Sequence, residues 1–236
     1  YNSSTKLITS STQLLIIQCI FSPLKLYLYL IIILFVFLII FYFTKQIEIY
    51  AMIMFFALIH ELGHLLAGLL LGMKPEKIEL MPFGVSISFK IKVEEYNKKI
   101  KKGNLLEIKK ILVAIAGPLT NFIIILITNS LKIDIFKGLI IIYTNFLIMI
   151  FNLLPIYPLD GGRVLKGILH INFGIRKSEL YTNIISKVMV AIITAISSIM
   201  ILRVHNIAIL LIDMYLWYLV IKEDTIFKKR MQLTKI

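Results

Sequence analysis

His60, Glu61 and His64 stand in the string His60-Glu61-Leu62-Gly63-His64. On a helix, residues i and i+4 stack on one face, so both imidazoles can reach a single ion. Two histidines spaced in this way with a glutamate after the first form the H-E-x-x-H arrangement. In it the imidazoles hold Zn2+ and the glutamate, not a ligand, takes a proton from the water that the ion activates. A catalytic zinc needs three protein donors and one open position. The third donor must therefore come from elsewhere, and the candidates are Asp160, His170, His205 and Asp213.

The elements that carry these residues are apolar. Of 236 residues 59% are hydrophobic and 17% charged, with a mean hydropathy of +0.90, which excludes a water-soluble globular enzyme. The apolar residues fall in blocks near the length that crosses a hydrocarbon core of about 30 Å as a helix. The pattern predicts an all-α polytopic membrane protein with about six transmembrane helices: Leu26 to Phe43, Ile49 to Gly72, Ile111 to Asn129, Phe136 to Leu154, Ile184 to Leu202 and Ile207 to Ile221. Residues 1–25 read as an N-terminal lead-in, 26–222 as one catalytic domain and 223–236 as a short cytosolic tail.

The formal net charge of +13 follows the same topology. Ten Lys lie between Lys74 and Lys110, five basic residues between Arg163 and Lys187, and five from Lys222 onward. With both termini in the cytosol, 22 of the 26 basic residues fall inside, as the positive-inside rule requires. The charge is thus a signal of orientation in a lipid bilayer, and no nucleic-acid partner is expected. A lone Cys19 excludes an intramolecular disulfide and a thiolate zinc cluster.

Two segments depart from the helical pattern. Val85, Ile87, Phe89, Ile91 and Val93 alternate with polar residues at period two, Lys77 to Met81 does so more briefly, and Pro82-Phe83-Gly84 lies between. This predicts a small membrane-associated β-hairpin at about 77–93 on the cytosolic side, either a cover over the bundle or an edge that accepts an extended peptide. The other segment runs from Asn152 through Pro155, Tyr157 and Pro158 to Asp160-Gly161-Gly162. Its prolines and glycines must interrupt the helix, and broken backbone at membrane depth is tolerated where it lines a cavity. That favours Asp160 as the third ligand. His170 and His205 fall in connections and read as surface or interfacial residues, and Asp213 as an intramembrane carboxylate able to bind an internal polar group.

The HELGH string and the Asn152–Gly162 segment together resemble the site-2 protease family of intramembrane zinc metalloproteases. Ala116-Gly117-Pro118-Leu119-Thr120-Asn121 is similar to that family's Gly-Pro-x-x-Asn signature, and Leu80-Met81-Pro82-Phe83-Gly84 to its sporulation branch. The resemblance covers nearly the whole chain from about Pro23. It implies hydrolysis of a peptide bond in a membrane-associated protein, a pro-sigma factor trimmed during sporulation, in the mother-cell membrane surrounding the forespore. It also implies membrane-bound inhibitor proteins as partners and Asn152 as a substrate-positioning residue.

Peptide hydrolysis inside a membrane requires an activated water, an electrophile-stabilising charge and an extended substrate. The expected assignment is one Zn2+ per chain on His60, His64 and Asp160, with Glu61 as catalytic base and then acid. Asn152, Pro155, Phe83, Val85 and Ile87 are the expected substrate contacts. Gly117, Pro118 and Asn121 read as architecture, allowing close helix approach and a bond between helices. Other readings are a membrane zinc hydrolase of lipidated peptides and a non-enzymatic metal transporter. The transporter is disfavoured by Glu61 and by the lack of paired broken helices in matching halves.

Overall fold

The computed structural model describes residues 47–81, 84–90, 100–131, 135–204 and 207–233. The lead-in, the first expected span, Cys19, Phe83, His205 and Ile91–Val93 lie outside the described residues. Six helices and one hairpin follow in the order α1 (Ile47–Leu70), β1 (Lys74–Met81), β2 (Gly84–Lys90), α2 (Ile100–Ser130), α3 (Ile135–Leu153), α4 (Asp160–Phe173), α5 (Ile175–Val204) and α6 (Ile207–Leu233).

Among the described residues three helices are long and apolar enough to cross a membrane: Ile47–Leu70, Asn104–Ser130 and Ile175–Met200. These overlap the second, third and fifth expected spans, the last two beginning several residues earlier than expected. The fourth is a shorter apolar helix, Lys137–Leu153. The sixth lies within α6, which continues to Leu233 through most of the segment read as a tail. Helix α1 shows the arrangement that a lipid solvent selects. Phe55, Leu58, Leu62, Leu66 and Leu69 are exposed on its outside, while Phe56, Ala57, His60, His64 and Gly68 are buried. Both histidines face inward.

Helix α1 ends in a Schellman motif. Gly72, at φ 73°, donates its N–H to Leu69 O at 2.9 Å, and Met73 donates to Gly68 O at 2.9 Å. Lys109 Nζ on α2 adds a bond to Leu71 O at 2.8 Å. The chain then enters the hairpin, whose antiparallel register pairs Ile78 with Ile87 and Leu80 with Val85, with an irregularity between Pro75 and Lys77. The first strand begins three residues earlier than the alternation indicates, because Pro75 and the irregularity interrupt the period-two pattern there. The hairpin docks on α1 through Phe89. A Cβ on Gly68 would stand 2.2 Å from its ring, so glycine is needed for that approach.

Pro155 ends α3, since it has no N–H to continue the ladder and disfavours helical backbone in the residue before it. The segment 154–159 is not helical but is held on both sides. Ile156 is fully buried in a cluster with Val190 of α5 and Leu216 and Val220 of α6, and Tyr157 donates its N–H to Ser186 Oγ at 2.9 Å. Helix α4, absent from the expected spans, follows at once. At 14 residues it is too short to cross a bilayer, so a search for long apolar blocks passes over it.

Candidate metal centre

Helix α1 brings His60 and His64 to one buried face, as the i, i+4 spacing predicts, and the first turn of α4 brings Asp160 against them. Asp160 Oδ2 lies 3.0 Å from His60 Nε2 and 3.1 Å from His64 Nε2, and the two Nε2 atoms are 3.2 Å apart. All three side chains are buried, at 3%, 3% and 4% exposure. Three donors in a tetrahedral zinc shell, at about 2.0–2.1 Å from the ion, stand about 3.3 Å from one another. The observed triangle has nearly that size.

The protons make the case stronger than the distances. His64 donates Nδ1–H to the Val113 carbonyl at 2.7 Å, and His60 donates Nδ1–H to Asn121 Oδ1. In the neutral imidazoles both Nε2 atoms are then bare lone pairs. Two lone pairs and a carboxylate oxygen then face one another in a buried space, an arrangement that a metal cation between them would satisfy. His60, His64 and Asp160 form the only such donor group among the described residues. Two imidazoles and one carboxylate suit zinc.

The space in front of the donors is kept open by Gly117. A Cβ there would stand 2.3 Å from His64 Nε2 and 2.6 Å from His60 Nε2. Close approach of α1 and α2 is also set by Gly63, whose added Cβ would meet Thr120 Oγ1 at 2.2 Å. The glycines of the α4 start work in the same way. Side chains at Gly161 and Gly162 would meet the carbonyl of Leu153 at 2.1 Å and the backbone of Ile156 at 2.4 Å. Only there can the broken segment fold back tightly enough to deliver Asp160 to α1. The N-terminus of α4 favours an ionised carboxylate at this position, and Arg163 Nη1, 3.7 Å from Asp160 Oδ1, holds the oxygen that the histidines leave.

Glu61 is half-buried beside the triad and within electrostatic reach of His64, Arg163, His60 and Asp160. Asn152, also half-buried, donates its amide to Ile148 O at 3.0 Å, one turn back along α3. The carbonyl that Pro155 deprives of its i+4 donor is that of Phe151, which accepts from the Leu154 N–H at 3.3 Å. Pro155 lies in the broken segment, and Val85 and Ile87 lie on β2 opposite Leu80 and Ile78.

The other candidate ligands go elsewhere. His170 is not in a connection but in the last turn of α4, with Nδ1 3.3 Å from the carboxylate of buried Glu107, which also accepts from Lys110 at 2.7 Å. Asp213 has its oxygen 2.9 Å from Thr194 Oγ1, which accepts the Trp217 indole N–H at 2.8 Å. The residues read as architecture are the ones that sequence reasoning placed too far from the chemistry. Gly117 borders the donor triangle and Asn121 touches His60. Their co-occurrence in one Gly-Pro-x-x-Asn string, one turn apart, was the available signal.

The family described as Peptidase family M50 matches residues 48–136 and 130–196. A zinc metalloprotease of Methanocaldococcus jannaschii is 33% identical over 183 residues, covering 72% of this chain and 49% of that protein. Stage IV sporulation protein FB of Bacillus subtilis is 29% identical over 126 residues, covering 52% of this chain and 40% of that protein. The chain thus spans half or less of the curated relatives it matches. Among solved structures, a site-2 protease from Methanocaldococcus jannaschii superposes with a TM-score of 0.51 at 25% identity, covering 84% of this chain and 87% of that one.

Proposed function

From the premise that the chain belongs to peptidase family M50, we propose that it is an intramembrane zinc endopeptidase of the site-2 type. The observation that carries this reading is the buried meeting of His60, His64 and Asp160 beside Glu61. Zinc in that triad supplies a Lewis acid for the scissile carbonyl and lowers the pKa of a water toward about 7.

The chain's own groups do the rest. Glu61 accepts the proton of the attacking water and returns it to the departing amine. The Asn121 and Val113 oxygens hold the imidazole protons away from the triad, and Arg163 steadies the carboxylate of Asp160. Gly117 leaves room for the reacting carbonyl. The substrate must arrive extended, because a helix hides its carbonyls, and the two-stranded sheet docked on α1 offers an edge for it near Val85 and Ile87. Phe83, Asn152 and Pro155 complete the proposed substrate contacts, with Asn152 turning its amide from Ile148 O to the bound peptide.

The substrate class is a membrane-associated protein. Resemblance to the sporulation branch, with the 29% identity to stage IV sporulation protein FB, supports a pro-sigma factor as client and membrane-bound inhibitors as partners. The distribution of Lys and Arg supports cytosolic termini, a hairpin on that side and release of the product there, in the membrane around the forespore. Co-expression with a pro-sigma factor tests the reading. The wild-type chain shortens the client and Glu61→Gln does not; equal processing by both overturns it.

A further inference from the structure

Two buried asparagines form a chain of bonds that ends on a metal ligand. Asn121 and Asn145 are both fully buried, on α2 and α3. Asn145 Nδ2 donates to Ile141 O at 2.9 Å, Asn121 Nδ2 donates to Asn145 Oδ1 at 2.8 Å, and Asn121 Oδ1 accepts the Nδ1–H of His60. We propose that Asn145, acting through Asn121, is a positioning residue that fixes the tautomer of His60 and so keeps its Nε2 free for the metal. The inference rests on the metal-site reading above.

The direction of the chain follows from its anchor. A backbone carbonyl accepts and never donates, so the group of Asn145 that faces Ile141 O must be the amide N–H2. Its oxygen then faces Asn121, which must answer with its own N–H2. That leaves the Asn121 oxygen toward His60, whose facing nitrogen must carry the ring proton. The remaining nitrogen, Nε2, points at His64 and Asp160, and in the neutral imidazole it carries the lone pair. With Asn121 turned over, its N–H2 would face Nδ1, the ring proton would move to Nε2, and it would occupy the place of the ion. His64 needs no such chain because its Nδ1–H meets the Val113 carbonyl directly. Of the two histidines, only His60 relies on a side chain that can be flipped, and α3 supplies the contact that prevents the flip.

The test is zinc affinity of the purified full chain, measured by chelator competition, with cobalt substitution as a spectroscopic readout. Asn121→Leu is expected to weaken zinc about ten- to a hundredfold, the usual loss on removing the outer partner of a ligating histidine. Asn145→Leu weakens it by less, and Asn121→Asp, which keeps an oxygen on His60 but can no longer donate to Asn145 Oδ1, weakens it less than Asn121→Leu. The cobalt d–d absorption of the two Leu variants changes in shape, and that of the Asp variant does not. Wild-type affinity and spectrum in both Leu variants, with only thermal stability reduced, overturn the proposal and leave interhelical glue. Should the Leu variants not fold, 15N shifts of His60 in the metal-free wild-type chain decide. A proton on Nδ1 supports the relay, and a proton on Nε2 overturns it. His60→Ala is the control: if it binds zinc like wild type the metal-site reading itself fails, whereas loss there with unaltered Leu variants removes the relay alone.

Discussion

Asp160 and Asp213 are both carboxylates in apolar helical surroundings, yet they do different things because the backbone beneath them differs. Asp160 opens α4 after a broken segment, where no preceding turn shields it and two glycines allow it to approach α1. Its oxygens meet two histidines and an arginine. Asp213 sits within the continuous helix α6, and its bonding is local to the α5–α6 pair through Thr194. The first arrangement gathers lone pairs that a cation would satisfy. The second sets one carboxylate oxygen against a hydroxyl and belongs to no such donor group among the described residues. An intramembrane acid is thus a marker of chemistry when broken backbone delivers it to other donors, and a packing element when a regular helix carries it.

The contrast can be broken most forcefully at Asp160. Asp160→Ala is expected to lower zinc affinity by more than about a hundredfold, since losing an outer partner alone costs up to that much, and cleavage falls with it. Wild-type zinc content in that variant breaks the comparison. Glu61→Gln separates holding the metal from using it. Cleavage is expected to drop about 10²–10⁴-fold while zinc per chain stays unchanged in metal analysis.

Gly117→Ala sharpens the site side without removing a donor. Its methyl must displace both imidazoles, so zinc is expected to bind about tenfold or more weakly, read by chelator competition; unchanged affinity would mean that Gly117 is only a packing residue. Asp213→Ala should leave zinc and cleavage intact and cost about 0.5–1.5 kcal/mol of stability, the net value of one hydrogen bond. A loss of zinc in that variant would erase the distinction between the two carboxylates.

The smallest effect belongs to the far end of the α5–α6 pair. Lys187, with Asn183 and Lys228, hydrogen-bonds Asp224 and holds its carboxyl below the usual carboxylate range. A depressed carboxyl pKa stabilises the fold above the unfolded value of about 3.9 and ceases to do so as pH falls through the folded value. Asp224→Asn is therefore expected to be slightly less stable than wild type near neutrality, with the difference vanishing in acid. A difference that persists at low pH would assign it to packing instead.

Much of this was legible in the residues themselves. The i, i+4 histidines predict their own geometry once a helix is granted, and Pro155 with Gly161 and Gly162 marks where the helix breaks and Asp160 is freed to reach another element. The alternation from Val85 onward revealed the hairpin, whose earlier start at Lys74 was obscured by Pro75. What local rules do not encode is which polar residues of different helices face each other. Asn145 is one of several polar residues of α3, with Lys137, Thr144 and Asn152, and nothing within α3 indicates that it meets Asn121. His170 looked like a loop residue because α4 is too short for a span, and its pairing with Glu107 depends on the packing of α4 against α2. Gly117 looked like a hinge because a missing Cβ has no chemistry until the imidazoles beside it are known.

The direct test of the central claim is zinc K-edge X-ray absorption of the purified chain, comparing wild type with Asp160→Ala and Asp213→Ala. Two imidazoles and one carboxylate are expected around the ion in wild type and Asp213→Ala, with the carboxylate contribution lost in Asp160→Ala. A spectrum that is the same in all three, or that changes only in Asp213→Ala, would contradict the account.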